Sequence, residues 1–279
     1  MSGHGPRRIV CLSTETVDTL YRLGLQSRIV GISGFTVHPP QARREKPRIS
    51  AYTTAKLDAI LALAPDLVLG FSDLQAELAA ALIRAGLEVH IFNQRSIAGI
   101  LASVRTLGRL VDAAAPADRL ASQVEAHLEA LRQQARPLPR RPRVYFEEWD
   151  DPPMCGIRWV SELIELVGGE DVFADLAQAP GAAGRILPPA DEVAARAPEL
   201  IIGSWCGKKF RPGRVAERPG WAGLPAVTAG RLYEIKSADI LQPGIIALTR
   251  GADQLATLIR GRNADSVVSP TSRCPRHGD

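Results

Sequence analysis

Four carboxylates fall in one short run, Glu147-Glu148-Trp149-Asp150-Asp151, directly after an apolar stretch that reads as a strand. Closely spaced carboxylates can polarise a bond as general acid and base, or hold a hard cation. They can also stand solvated, one of them capping the next helix, and that plainer use is the expectation here. The rest of the chain supplies little to complete an active site. It has no Gly-x-Ser-x-Gly elbow, no His-Glu-x-x-His pair and no Gly-x-Gly-x-x-Gly after the first strand. Gly203-Ser-Trp-Cys-Gly207-Lys208-Lys209 approaches a phosphate loop, but one residue is missing between its glycines and Lys209 stands where a hydroxyl should hold magnesium. His4, His38, His90, His127 and His277 are scattered, and Cys11, Cys155, Cys206 and Cys274 form no Cys-x-x-Cys pair. No bound metal, structural zinc or evident disulfide framework is therefore expected. A non-enzymatic protein is the leading expectation, and a hydrolase or lyase using Glu147 or Glu148 with a cation is its rival.

Aromatic residues make up only 5% of the chain, yet Phe35, Tyr52, Phe71, Trp149, Trp159, Trp205 and Phe210 fall just after expected strands or close to them. Aromatic faces hold large flat or apolar ligands at little conformational cost, and a few polar groups then fix orientation. Basic and amide side chains share those positions: Asn93-Gln94-Arg95 follows one strand, Lys208-Lys209-Phe210-Arg211 another, and Gln242-Pro243-Gly244 precedes the last helix. The expected binding set is Phe71, Trp149 and Trp205 against the ligand face, with Tyr52, Arg95, Lys208 and Gln242 as polar contacts. Trp159 and Glu148 are further members. Trp221, beside Pro219 and Gly220, reads as a surface-loop anchor.

These residues must be positioned by the elements around them. The chain has 279 residues, 46% hydrophobic and 23% charged, with 34 Lys and Arg against 30 Asp and Glu. That balance excludes global disorder and lacks the cationic runs of a nucleic-acid arm, so no nucleic-acid partner is expected. Short apolar runs, Arg8–Leu12, Ile29–Ile32, Leu67–Leu69 and Val89–Phe92, alternate with helical patterns. After Leu57–Leu63 and Leu74–Ala85, Ser96 can cap a helix through Val111. A long amphipathic helix is expected over Pro116–Ala135, with Leu120, Val124, Leu128 and Leu131 on one stripe. Alternation then resumes with strands at Val144–Phe146, Leu200–Ile202 and Leu232–Ile235 and helices at Val160–Val167, Glu192–Ala197 and Ile245–Ile259. The expected fold class is α/β: two lobes, each a parallel-type sheet flanked by helices, bridged by a single long helix. The divisions are an N-terminal lobe at 8–115, the bridge at 116–136, a C-terminal lobe at 137–260 and a disordered tail at 261–279. Met1–Leu12 holds no secretory apolar core and no lipid-attachment site, so a cytoplasmic location is expected as the chain is written, or a periplasmic one should the N-terminus be incomplete.

The two halves repeat. Asp58–Gly70 aligns without a gap on Asp191–Gly203, each a helix, a Pro-acid turn, a short apolar strand and a glycine. Val17–Leu23 resembles Val160–Leu166, and Ile9–Leu12 resembles Val144–Glu147, in the same order. With the Pro116–Ala135 bridge and the closing Ala229-Gly-Arg-Leu-Tyr-Glu-Ile235, these segments resemble the cobalamin and iron-siderophore class of ABC-transporter substrate-binding proteins over about residues 8–260. Tyr145-Phe-Glu-Glu-Trp-Asp-Asp-Pro152 and Ser204-Trp-Cys-Gly-Lys208 are similar to the subgroup termed cobalamin-binding. The resemblance implies a monomer with no intrinsic cofactor that holds a corrinoid or an iron chelate as ligand between its lobes. It implies delivery to an ABC permease, with Glu77 as a docking acid on the first lobe; the lack of an export signal leaves as an alternative a carrier or sensor of the same fold inside the cell, handing a corrinoid to a receiving protein.

Overall fold

The computed structural model describes residues 5–50, 57–136 and 140–261. The chain opens with β1 (Ile9–Cys11), α1 (Thr14–Arg22), β2 (Ile29–Ser33), α2 (Ala42–Glu45), β3 (Arg48–Ser50) and α3 (Leu57–Leu61). It continues through β4 (Leu67–Phe71), α4 (Ala76–Arg84), β5 (Val89–Phe92) and α5 (Ile97–Leu110). The five strands are all parallel, in the order β3-β2-β1-β4-β5. Helices cover both faces, so the inner strands are apolar throughout instead of alternating. Ile9, Cys11, Leu67 and Leu69 pack with Val17, Leu20 and Leu107 on one face, while Val10, Leu12 and Val68 meet Ile60 and Leu82 on the other.

Next comes α6 (Ala114–Ala135), 22 residues and therefore about 33 Å long. It starts two residues earlier than the pattern predicts, because Pro116 sits in the first turn, where its missing N–H is not needed. Ala117, Ala121, Val124, Leu128 and Leu131 form its buried stripe. That stripe belongs to one core shared by Ile100 and Val104 of α5 and by Val144, Phe146, Leu200 and Ile202 of the second sheet.

The second sheet is built from β6 (Arg143–Asp150), β7 (Pro153–Cys155), β8 (Glu170–Asp171), β9 (Leu200–Gly203) and β10 (Leu232–Glu234). Interspersed are α7 (Arg158–Leu166), α8 (Ala190–Ala195), α9 (Pro212–Ala216), α10 (Pro225–Thr228) and α11 (Ser237–Ile240), and a π-helical turn at Ala247–Gly251 leads into α12 (Ala252–Ile259). β10, β9, β6 and β8 are parallel, and β7 folds back antiparallel on β6. The predicted helix Ile245–Ile259 is thus interrupted by that π turn. Glu147, Glu148 and Asp150, expected in a loop, lie on β6 instead, because the strand continues past Phe146 to pair with β7.

The internal repeat extends to atomic detail. Ala64 and Ala197 occupy the same place in the two copies and share a positive φ, 43° and 42°. The acid that follows each proline reaches the same target: Asp66 accepts the Arg8 backbone N–H at 2.9 Å, and Glu199 accepts that of Arg143 at 3.0 Å. The Arg8 guanidinium donates to the Leu63 and Ala64 carbonyls, and the Arg143 guanidinium to the Arg196 carbonyl. Each arginine thereby satisfies carbonyls at a helix end that have no partner within the helix.

Among the described residues, three hydrogen bonds join the halves near the carboxyl ends of the strands. Gln94 Nε2 donates to the Pro243 carbonyl at 2.8 Å, His38 Nε2 meets Asp239 Oδ1 at 2.9 Å, and Glu162 accepts the Ile97 N–H at 2.7 Å.

Candidate functional site

Ligands of open parallel sheets gather beyond the carboxyl ends of the strands, and both sheets carry an aromatic ring under a cation there. At the end of β6, the Lys208 ammonium stands 3.8 Å from the centroid of the half-buried Trp149 ring and 5.7 Å from that of Trp205. Gly207, at φ +75°, supplies the left-handed turn that folds Lys208 back over Trp205. Asp150 binds the Lys208 ammonium directly and holds Arg214 at 3.3 Å. Burial would raise the Asp150 carboxyl, but the Lys208 and Arg214 charges outweigh it and hold the group below its ordinary value. The Trp149 indole N–H is satisfied by the Asp151 carbonyl at 2.8 Å.

Below this pair lies a buried polar knot. Glu147 is fully buried and accepts from the Tyr145 hydroxyl and the Trp205 indole, both at 2.7 Å, and from the Arg218 guanidinium. Trp205 is 2% exposed, packed edge-on against Phe210 at 5.1 Å. Phe210 in turn lies so close over Gly203 that any Cβ there would overlap its ring. Trp205 therefore roots the site, while Trp149 and Lys208 form its surface.

On the first sheet, Phe71 ends β4 and lies under the Arg95 guanidinium, 5.3 Å from the ring centroid. Arg95 is steered by Asp73 at 3.2 Å and Asn93 at 3.0 Å. The buried amide of Gln75 ties the edge together by accepting the Phe71 N–H and donating to the Leu12 carbonyl. Ser72, which follows Phe71, has φ +64° and ψ 171°, a conformation costly for a residue with a side chain and one that tends to occur at functional turns.

Of the other expected site residues, Gln242 is half-buried in the loop that crosses to the first half. Trp159 is 3% exposed and donates its indole N–H to the Ile240 carbonyl at 2.9 Å, within the shared core. Glu148 is held by the buried Arg185, which also donates to the Cys155 carbonyl. Trp221, read as a surface-loop anchor, is 4% exposed and packs on Tyr145. Glu77 is exposed in the first turn of α4. Tyr52 lies outside the described residues. Sequence reasoning missed Arg214, Arg218 and Arg185, which with Lys208 pair with Glu147, Glu148 and Asp150. The spacing of Arg214 and Arg218, four apart near one helical turn, was the available signal.

Glu147, Glu148 and Asp150 are all paired, so none stands poised for acid–base work. Among the described residues, no three His, Cys, Asp or Glu side chains are grouped to hold a metal ion. The hydrolase reading finds no support in this arrangement. No described helix is long and apolar enough to cross a membrane.

The sequence profile of the periplasmic binding protein family matches residues 9–238. The chain is 26% identical over 206 residues to a vitamin B12-binding protein of Vibrio campbellii, covering 72% of each. It is 28% identical over 177 residues to a cobalamin-binding protein of Halobacterium salinarum, covering 61% of this chain and 47% of that one. Among solved structures, the apo periplasmic heme-binding protein RhuT from Roseiflexus superposes with a TM-score of 0.77 at 24% identity, over 91% of this chain and all of that one. The periplasmic vitamin B12 binding protein BtuF of Vibrio cholerae does so with 0.72 at 22%, over 91% and 97%. With two helix-flanked sheets, one long helix between them and a match over most of its length, this chain belongs to the periplasmic binding protein family.

Proposed function

We propose that this protein is a non-enzymatic solute-binding protein whose ligand is a corrinoid or a metal chelate, held between its two halves and passed to an ABC permease. The observation that carries the reading is the matched pair of ring-and-cation edges, Phe71 under Arg95 and Trp149 under Lys208, at the carboxyl ends of the two sheets. The half-buried Trp149 gives a flat face, Phe71, 5% exposed, roots its edge as Trp205 does, and the cations above them offer donors to the amide, phosphate or carboxylate groups around a large macrocycle or chelate. The relatives named for vitamin B12 and cobalamin support the corrinoid end of this range. Residues 8–115 and 137–260 act as the two lobes, on either side of the long helix. The exposed Glu77 is the proposed contact with the permease. The family match supports a place of work outside the cytoplasm, which fractionation of the native host would test.

Titration with cyanocobalamin, cobinamide, hemin and a ferric siderophore tests the ligand. At least one is expected to quench tryptophan fluorescence and raise the melting temperature, since a ligand at one hundred times its Kd stabilises the fold by about 2.7 kcal/mol. Unchanged fluorescence and melting across the panel would sink the proposal.

A further inference from the structure

Where the two halves meet, a carboxylic acid stands apart from the ring-and-cation edges. Glu15, in the first turn of α1, is 8% exposed. Gly244 of the other half presses on it so closely that a Cβ there would stand 2.5 Å from the Glu15 Cβ. The Thr14 hydroxyl reaches Glu15 Oε2 at 3.5 Å, while Oε1 has no partner. Glu15 and Gln94 line one small cavity with Pro243 and Gly244, about 10 Å³ in volume, close to the room one water needs. Gln94 donates its amide across the seam to the Pro243 carbonyl, and its own Oε1 is a second buried oxygen without a partner. An ionised Glu15 adds only acceptors to this place. A protonated Glu15 adds the missing donor, to Gln94 directly or through one water.

We propose that Glu15 is a one-proton latch on the seam between the lobes: protonated, it completes the chain from Glu15 through Gln94 to Pro243, and ionised, it loosens the 242–244 loop from α1. Burial pushes the carboxyl up from 4.5 to about 7, against the lowering effect of hydrogen bonds from its own backbone and from Ser13 and Thr14. An acid with a higher pKa in the closed seam than in the open one takes up a proton on closing. The seam is therefore tightest below about pH 4.5, weakens by up to tenfold per pH unit as pH rises toward about 7, and levels off above. The neighbouring charges do not supply this behaviour. The cavity lining from α5 and from the 242–244 loop is uncharged, and the Cys11 thiol is itself pushed up to about 12 by burial. Asp18 is paired to Arg22, Arg95 to Asp73, and Arg105 to Glu125 and Asp118. Other ionisable ties across the seam are His38 with Asp239, whose carboxylate also holds Arg250 and Gln254, and Glu162, paired to Arg158, with the Ile97 N–H.

The test uses the ligand-free full chain, so that its failure is distinct from failure of the ligand reading. Carbon-13 NMR would follow the Glu15 carboxyl, and amide hydrogen-exchange protection would follow residues 242–247, between about pH 4.5 and 8. Wild type and His38→Asn are expected to show a Glu15 midpoint near 7 and protection that falls with pH, while Glu15→Gln shows no such fall. Gln94→Met, which removes the acceptor of the proton, is expected to lower the midpoint. A Glu15 midpoint near 4.5, a wild-type slope retained in Glu15→Gln, loss of the slope in His38→Asn, or an unmoved midpoint in Gln94→Met would each overturn the latch.

Discussion

Glu147 shows how much a single side chain can depend on its partners. A fully buried carboxylate is tolerable only when its charge is matched and its lone pairs are filled, and here Arg218, Tyr145 and Trp205 do both. Arg218→Ala would leave that charge uncompensated, and urea unfolding is expected to show a loss of about 3–5 kcal/mol. At the surface of the same site the stakes differ. Trp149→Ala touches a half-buried ring, so folding should change by less than about 1 kcal/mol, while Lys208→Ala leaves the buried Asp150 carboxylate to Arg214 alone and should cost about 1–3 kcal/mol. Binding of whichever ligand titrates should weaken about tenfold in each by isothermal calorimetry. Unaltered affinity in both would remove these two residues from the site.

At the scale of elements, the repeat explains why the two sheets share a plan. In both copies an arginine at the start of the first strand closes the end of a helix, and the acid after proline binds back to that arginine's N–H. Each lobe thus fixes its central strand pair, β1 with β4 and β6 with β9, by the same local device. Arg8→Ala and Arg143→Ala are expected to cost similar amounts, about 1.5–3 kcal/mol each in chemical denaturation, because each removes charge-assisted bonds to carbonyls. A neutral result for one and a large loss for the other would mean that the two copies no longer do the same work. The alternation, the repeat and the long amphipathic helix were legible because apolar periodicity survives wherever a strand or helix buries a face. β3 and β8, three and two residues long, carry too little pattern to stand out. The extension of β6 into its acidic half was hidden because polar residues inside a strand look like a loop until their partners are known.

For the whole molecule, one core runs from α5 through α6 into α7 and α12. A continuous helix packed on both sides in this way resists large hinge bending, so any opening should be small and concentrated at the seam. Two buried acids make the stability of the whole fold pH-dependent. Burial raises Glu15 to about 7 and Asp171 to about 6, from 4.5 and 3.8. In both, the folded state holds its proton more tightly than the unfolded chain, so stability should fall as pH rises from about 4 to 7 and flatten above. Thermal melts of the ligand-free protein across that range would check the sign, and a curve rising from pH 4 to 7 would contradict it. Asp171→Asn should remove the part of the fall that ends near pH 6.

Periodicity and self-similarity along the chain determined the α/β class, the pairing of two related halves and the helix between them, since these follow from local geometry and from which faces must leave water. The same reading placed Trp149, Trp205 and Lys208 beside the ends of strands, where the ligands of open parallel sheets gather. Only the tertiary structure decided which of them stays accessible. Trp159 and Trp205 give their indole N–H groups to Ile240 and Glu147, and Glu147, Glu148 and Asp150 are paired by Arg185, Lys208, Arg214 and Arg218, tens of residues away. Burial and ion pairing are properties of neighbours distant in the chain, and the order of residues alone does not state who those neighbours are.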